Sequence, residues 1–337
     1  MGDLSYWLPL AWAAILAVAV TLYVILDGFD LGLGILYPLT PHEEDRDVMM
    51  NTVAPFWDGN ETWLILGGGG LFVAFPKAYG VIMSGLYLPV TIMLLALVFR
   101  GVAFEFRWVA KPKHHFWDLA FSWGSIAAAF SQGVVLGGLL QGITVKDGHF
   151  AGGALDWLTP FALLCGAAVV AGYALLGATW LHMKTEGEIQ SWARGHAKTA
   201  LLLTLAAIAF VSLWTPFAIP RIYERWFVWP NLLLLSPIPL LTAFAAYKCW
   251  RGLDAGKPIQ PFAAAIAIFL LGFIGLVISN VPYLVPASMT VWQGAAVPKS
   301  QLFSLVGVLI MLPVILGYTA FVYWTFRGKI RHGEGYH

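Results

Sequence analysis

Five acidic residues lie within or beside apolar stretches of the sequence, where an ionisable side chain needs a partner or a function. Asp27 and Asp30 are three residues apart, and Asp58 and Glu61 repeat that spacing, so each pair occupies one face of a helix. Glu105 closes a third apolar stretch. Loss of water favours the neutral form of a carboxyl group, which then accepts and releases protons near neutral pH. These five side chains are therefore candidates for proton transfer.

A second interpretation is that the acids form ion pairs within the chain or interact with the N-terminus of a helix. The candidate cations are Arg46, Arg100 and Arg107. A helix that begins near residue 51 places Asp58 and Glu61 roughly 10 and 15 Å from its start, where the chain offers no basic residue. We therefore expect their partner to come from another chain.

Small and aromatic residues surround these acids. Gly28, Gly32 and Gly34 line the first apolar segment, and four consecutive glycines occupy 67–70 in the second. Bare backbone permits the close approach of another helix or of a flat cofactor, and helix packing is the commoner cause. Trp57 and Trp63 flank the second acidic pair, where they either pack on a cofactor or quinone or serve as ordinary packing residues.

Histidine and cysteine are poorly placed for metal chemistry. All eight histidines fall in connections, at the ends of apolar segments or in the tail, whereas a chain that holds haem in a membrane normally offers them at mid-depth. Met83, Met93 and Met311 are possible single ligands, but packing explains them more simply. Cys165 and Cys249 fit small core residues. We expect this chain to ligate no metal.

The composition defines the environment of these residues. Of the 337 residues, 59% are hydrophobic and only 11% are charged, against about 25% in soluble proteins. Hydropathy and helix breakers predict an all-α integral membrane protein with nine spans. These lie near 5–36, 51–75, 78–104, 117–140, 157–182, 197–218, 231–249, 260–283 and 301–326. The formal net charge of +1 gives no reason to expect a nucleic-acid partner.

The basic residues set the predicted orientation. With the N-terminus outside and the C-terminus cytoplasmic, the outer connections hold only Lys77, Lys146, Arg221, Arg225 and Lys299 of the 19 lysines and arginines. This bias is the one that the positive-inside rule requires. We expect residues 1–140 to form a four-helix bundle with the acidic motifs, and residues 141–337 to form a second bundle plus a peripheral ninth helix. The first segment lacks a cleavage site, so we expect it to be retained.

Four segments resemble subunit II of the cytochrome bd ubiquinol oxidase family, and the similarity extends over essentially the whole chain. They are Asp27-Gly28-Phe29-Asp30-Leu31-Gly32-Leu33-Gly34, then Asn51 to Leu64 with its Trp57-Asp58-Gly59-Asn60, then Phe99-Arg100 with Phe104-Glu105, and finally Pro286-Ala287-Ser288-Met289-Thr290. The compact length is similar to that of the cyanide-insensitive branch.

The resemblance implies a heterodimer with a haem-bearing subunit I in a bacterial inner membrane. That partner would hold haems b and d, or b alone, and oxidise ubiquinol, with small accessory single-span subunits, lipid and quinone as further partners. This chain would complete the haem pocket through Trp57, Asn60 and Trp63. It would conduct cytoplasmic protons through Asp27, Asp30, Asp58, Glu61 and Glu105. The resemblance does not identify an acid at the position of Glu61 as part of the family motif.

Two other functions stay open at this point. A proton-coupled secondary transporter would use the same acids, although corresponding Gly- or Pro-broken spans in two halves are missing. A structural anchor subunit would need none of the acids to titrate. An oxidase subunit purifies with a coloured partner, whereas a transporter purifies colourless and alone.

Overall fold

The structure, a computed structural model, describes residues 4–40, 42–110 and 114–331. The remainder of the predicted cytoplasmic tail, 332–337, lies outside the described residues. The first part of the chain forms α1 (Leu4–Leu36), a 3-10 turn (Tyr37–Leu39), α2 (Glu43–Asn51), α3 (Trp57–Ala74), α4 (Pro76–Gly85), α5 (Tyr87–Val109) and α6 (His115–Gln141). The second part forms α7 (Pro160–Lys184), α8 (Gly187–Ala218), α9 (Pro220–Phe227), α10 (Asn231–Leu235), α11 (Pro237–Asp254), α12 (Ile259–Asn280), α13 (Val291–Gly294) and α14 (Pro298–Thr325).

Two short antiparallel hairpins interrupt the helices. Strand β1 (Val145–Lys146) pairs with β2 (His149–Phe150), and β3 (Tyr283–Val285) pairs with β4 (Met289–Thr290). The stretches 219–230 and 284–300 lie between predicted spans, and they contain α9, part of the second hairpin and α13. Thr290 caps α13 through a reciprocal pair of hydrogen bonds with Gln293, which explains why this helix begins there.

In the described residues, eight segments are long and apolar enough to cross a membrane. They are Leu4–Leu39, Tyr87–Val109, His115–Gln141, Pro160–Lys184, Gly187–Ala218, Asn231–Asp254, Ile259–Asn280 and Pro298–Thr325. Each corresponds to one of the nine predicted spans, and the remaining one corresponds to α3. Its 18 residues would measure about 27 Å, but polar side chains at its start lower its hydropathy. The count of nine, the orientation and the division at residue 140 stay predictions.

Proline fixes the start of several helices. Helices α4, α7, α9, α11 and α14 each begin with a proline at their first position. Proline is tolerated there because the first N–H groups of a helix have no partner inside the helix. Pro76 also separates α3 from α4, whereas α4 and α5 are separated at Leu86.

The predicted second span begins later than expected. Helix α2 ends at Asn51, and a series of turns follows before α3 starts at Trp57. Pro55 lies within these turns and disfavours helical geometry for the residue before it. The expected distances of roughly 10 and 15 Å from the helix start are therefore wrong for Asp58 and Glu61, because both lie in the first turns of α3.

Glycines bring α1 and α7 into backbone contact. A Cβ added at Gly32 would lie 1.9 Å from the carbonyl oxygen of Tyr173, and one added at Gly177 would lie 2.4 Å from the carbonyl carbon of Gly32. Gly34 is equally close to Ser125 of α6. These glycines confirm the helix-packing interpretation for the first segment. By contrast, an added Cβ at Gly68 or Gly69 would meet nothing within 4 Å.

We expect Gly32→Ala to destabilise the protein because the α1–α7 contact has no room for a methyl group. Overpacking of this kind costs roughly 1–3 kcal/mol. Gly272→Ala is the matched control, since Gly272 lies inside α12 and an added Cβ there meets nothing within 4 Å. Thermal unfolding of the purified protein measures the effect. Equal melting temperatures for the two variants would contradict the close approach of α1 and α7.

Candidate functional site

Three carboxylates surround the guanidinium group of Arg100. Arg100 Nη2 lies 3.0 Å from Asp27 Oδ1 and 3.7 Å from Asp30 Oδ2, and Nη1 lies 3.3 Å from Glu61 Oε2. The side chains of Arg100, Asp27 and Asp30 are fully buried, whereas that of Glu61 is 26% exposed. These four residues are called the Arg100 cluster below. One cation therefore serves three acids.

Four helices build the Arg100 cluster. Helix α1 supplies Asp27 and Asp30 from one face, α3 supplies Glu61, and α5 supplies Arg100. Helix α6 packs against α5 beside Arg100. A Cβ added at Gly124 of α6 would lie 2.8 Å from the carbonyl oxygen of Ala96 and 3.1 Å from the Cβ of Arg100. Gly124 thus permits α5 and α6 to meet at the level of the cluster.

Arg100 corrects two expectations from the sequence. It was assigned to a cytoplasmic connection, but α5 continues to Val109 and buries it completely. Glu61 was expected to lack a cation in this chain, and that expectation is wrong because Arg100 reaches it. The ion-pair interpretation is confirmed for Asp27 and Asp30. An arginine inside an apolar helix needs a partner in a membrane, and Arg100 was one of the three candidate cations in the sequence.

Asn60 connects the cluster to the last helix. Its side-chain nitrogen donates to Asp30 Oδ2 at 2.8 Å, and its oxygen accepts from the hydroxyl of Tyr323 at 2.8 Å. Helix α14 is otherwise exposed along most of its length. Asn60 therefore holds α14 beside α3 through contacts within this chain. The family resemblance had implied a place for Asn60 at the haem pocket or the subunit interface.

A second polar chain continues from the first helix. Tyr173 donates its hydroxyl hydrogen to Gln132 Oε1 at 2.6 Å, and Gln132 Nε2 donates to the hydroxyl oxygen of Tyr23 at 2.7 Å. Tyr23 is one helical turn before Asp27 on α1, so it lies on the same face. The sequence alone gives no signal for these three residues, because single Tyr and Gln residues are common in apolar segments.

The two tryptophans occupy different environments. Trp57 is half-buried, with its ring stacked on Phe104 at 5.1 Å and with the Arg100 guanidinium 5.7 Å from its centre. Trp63 is buried against Ala19 and Tyr23. Its position favours the ordinary packing interpretation, whereas Trp57 borders the cluster.

Asp58 and Glu105 lie on the surface of the bundle. Both are exposed, and neither takes part in a hydrogen bond or ion pair within the described residues. Asp58 occupies the first turn of α3, where the helix dipole favours an acid. Its negative charge repels that of Glu61. Glu105 follows Phe104 on α5. The structure therefore brings Asp27, Asp30 and Glu61 together and leaves Asp58 and Glu105 at the surface.

A second buried arginine lies two turns further along α5. Arg107 Nη1 lies 2.5 Å from Asp47 Oδ1, and Nε lies 2.6 Å from Asp118 Oδ1. Asp118 also accepts from the hydroxyl of Tyr37 at 2.8 Å and lies 3.9 Å from Arg46. In contrast to the Arg100 cluster, two arginines serve two aspartates here, and His114 also lies 3.6 Å from Asp118. This arrangement joins α2, α5 and α6 as a structural unit.

Among the described residues, no group of three or more His, Cys, Asp or Glu could hold a metal ion. The buried His182 has its ring nitrogens 3.4 and 3.3 Å from the carbonyl oxygens of Gln190 and Lys257. Met49 accepts a hydrogen bond from Thr40, and the sulfur of Met50 lies 3.7 Å from the hydroxyl oxygen of Tyr37.

Fold and site together define a multi-pass helical membrane protein with a buried, acid-rich charge cluster. The family model for cytochrome bd terminal oxidase subunit II matches residues 8–326. The chain belongs to that family.

Individual relatives agree with the family match. The chain is 29% identical to cytochrome bd-I ubiquinol oxidase subunit 2 of Escherichia coli strain K12, over 95% of this chain and 94% of the relative. It is 30% identical to cytochrome bd ubiquinol oxidase subunit 2 of Bacillus subtilis strain 168, over 96% and 97%. The fold matches the bd oxidase structure from Geobacillus thermodenitrificans with a TM-score of 0.80 at 17% identity, over 95% of this chain and 98% of that one.

We expect Arg100→Gln to destabilise the protein strongly, because it leaves buried carboxylates without a cation. Removal of one partner from a buried ion pair costs roughly 3–5 kcal/mol. Arg100→Lys keeps the charge but not the forked geometry, so its melting temperature should fall between those of wild type and Arg100→Gln.

Arg251→Gln provides the control, since Arg251 is an exposed arginine near the end of α11. Its melting temperature should equal that of wild type. A wild-type melting temperature for Arg100→Gln would show that the three acids do not depend on this guanidinium.

Proposed function

We propose that this chain is the haem-free subunit of a quinol-oxidising, oxygen-reducing complex and that its acids conduct cytoplasmic protons toward the partner subunit. The partner is a subunit I that carries the haems, b and d-type or b alone, and ubiquinol is the substrate of the complex. The relatives are named as subunits of ubiquinol oxidases, which supports this assignment over a secondary transporter. The proposed location is the bacterial inner membrane, with the N-terminus outside and the C-terminus cytoplasmic.

The unequal charges of the Arg100 cluster carry this proposal. Three ionised carboxylates around one guanidinium would leave two uncompensated negative charges at a site that is largely shielded from water. Such charges are costly in an apolar interior, so the cluster favours states in which protons reside on its carboxyl groups. The three acids share one cation, so a proton that moves from one acid to another leaves the total charge of the Arg100 cluster unchanged. A cluster of this kind stores and passes protons.

Access to the cluster runs through the start of α3. Glu61 is the only one of its acids with an exposed side-chain fraction. Asp58 lies one turn before Glu61 on the bundle surface, and Glu105 lies beside Phe104, which stacks on Trp57. The proposed route collects protons at these surface acids, passes them to Glu61, and distributes them to Asp27 and Asp30. Trp57 shields the Arg100 guanidinium along this route.

The surface around these acids suits a neighbouring membrane subunit. On α5, Val98, Phe99 and Phe106 are exposed by 61%, 54% and 53%. On α3, the backbone at Gly68 and Gly69 is open to close approach. We assign this face to subunit I, because Asp58 and Glu105 would otherwise face lipid. Trp57 would border the haem pocket from this side, and the buried Asn60 and Trp63 would support it indirectly.

We expect Asp58→Asn to slow quinol oxidation while the complex assembles with normal haem content. Asp58 forms no hydrogen bond or ion pair with the described residues, so its replacement should not disturb this chain. Oxygen consumption per haem in the purified complex measures the effect.

The matched control is Glu224→Gln, an exposed acid of α9 on the proposed outer side. Its turnover should equal that of wild type. If Asp58→Asn assembles fully and turns over at the wild-type rate, Asp58 has a structural role or none, and the entry route is wrong.

A further inference from the structure

Lys184 is a buried lysine at the end of α7, remote from the Arg100 cluster in sequence. Only 4% of the surface of Lys184 is exposed to solvent. Its Nζ donates to the carbonyl oxygens of Phe326 and Gly328, each at 2.6 Å, and lies 5.8 Å from the ring centre of Phe56. An ammonium group has three N–H donors, so one remains beyond these two bonds.

The positive charge of Lys184 has no acidic counterpart. In the part of the chain that the structure describes, Lys184 forms no ion pair. The neighbouring Glu186 is already shared, with Lys329 at 3.7 Å and Arg331 at 3.1 Å. Burial of an ammonium group without an anion is costly, so the buried charge of Lys184 indicates a missing negative partner.

A cavity of about 250 Å³ opens beside Lys184. Its polar wall includes both lysines, and its apolar wall includes aromatic rings and a proline. The lining residues that matter here are Lys184, Lys329, Thr52, Pro55, Phe56 and Phe326. The ends of α7 and α14 and the turns before α3 meet at this point, which is the cytoplasmic membrane surface in the orientation proposed above.

We propose that this cavity binds a phosphate group, held by Lys184 and Lys329 at the cytoplasmic membrane surface. Lysine binds phosphate as a point charge, and anionic lipid headgroups are concentrated at this level of a membrane. The apolar wall accommodates the glycerol and upper acyl carbons of a lipid. The same chemistry serves the headgroup of an anionic phospholipid or a free phosphate. Anion binding here fastens the segment after α14 to the end of α7.

The test measures the melting temperature of the purified two-subunit complex in nanodiscs. The first arm compares phosphatidylcholine alone with phosphatidylcholine that contains phosphatidylglycerol. The second arm adds inorganic phosphate to the phosphatidylcholine discs. A ligand that binds only the folded state raises the melting temperature, and we expect a rise of roughly 2 °C or more in one of the two arms.

Two pairs of variants assign the effect to the cavity. Gly328→Glu places a carboxylate at the cavity, and a Cβ at Gly328 meets nothing within 4 Å, so the fold tolerates it. We expect Gly328→Glu to lose the rise and Gly328→Ala to keep it. Lys184→Met should also lose it, whereas Lys248→Met, at an exposed lysine of α11, should keep it. The Gly328 pair decides the question if Lys184→Met fails to assemble.

Each outcome has one meaning. A rise with phosphatidylglycerol alone identifies a lipid headgroup as the ligand, and a rise with inorganic phosphate identifies a soluble phosphate. If neither anion raises the wild-type melting temperature, or if Gly328→Glu responds as wild type does, the cavity binds no phosphate. Lys184 then serves only to bond the carbonyl groups after α14.

Discussion

The placement of Arg100 among three carboxylates constrains the rest of this structure. A buried guanidinium requires acids within reach, and three acids require more positive charge than one arginine supplies. The first demand fixes α1, α3 and α5 around a single point. The second is the basis of the proposal that protons reside at that point. The Arg107 site, two turns along α5, shows a contrasting arrangement, because two arginines, Arg46 and Arg107, serve Asp47 and Asp118 there.

Close helix packing makes this arrangement possible. Gly32 and Gly177 bring α1 against α7, Gly34 brings α1 against α6, and Gly124 brings α6 against α5 at the level of Arg100. With larger residues the helices would stand apart, and water or lipid would reach the charges. Asn60 then uses both ends of its amide to join Asp30 to Tyr323, so the peripheral α14 is tied to the same site. Packing and electrostatics therefore depend on the same few residues.

Periodicity and hydropathy predicted much of this fold, because apolar runs and proline breaks are local properties. Helix α6, for example, begins at His115 and ends at Gln141, close to the predicted 117–140. The spacing of Asp27 and Asp30 correctly indicated one helix face. Pairing across helices is not local, so the sequence offered Arg100 only as one of three candidate cations and offered none for Glu61. The turns between α2 and α3 were also missed, because Pro55 lies inside an otherwise continuous segment. Tyr23, Gln132, Tyr173 and Tyr323 gain meaning only from their neighbours in space.

The protonation of the Arg100 cluster during turnover is the central claim, and infrared difference spectroscopy tests it most directly. Spectra of the oxidised and reduced complex should differ in the C=O stretching region of protonated carboxyl groups, with a band that shifts in D2O. We expect Glu61→Gln to remove or displace that band, because Glu61 is the acid that joins the buried pair to the surface. A redox difference spectrum without a carboxyl band, or one that Glu61→Gln, Asp27→Asn and Asp30→Asn all leave unchanged, would contradict a proton-carrying role for the cluster.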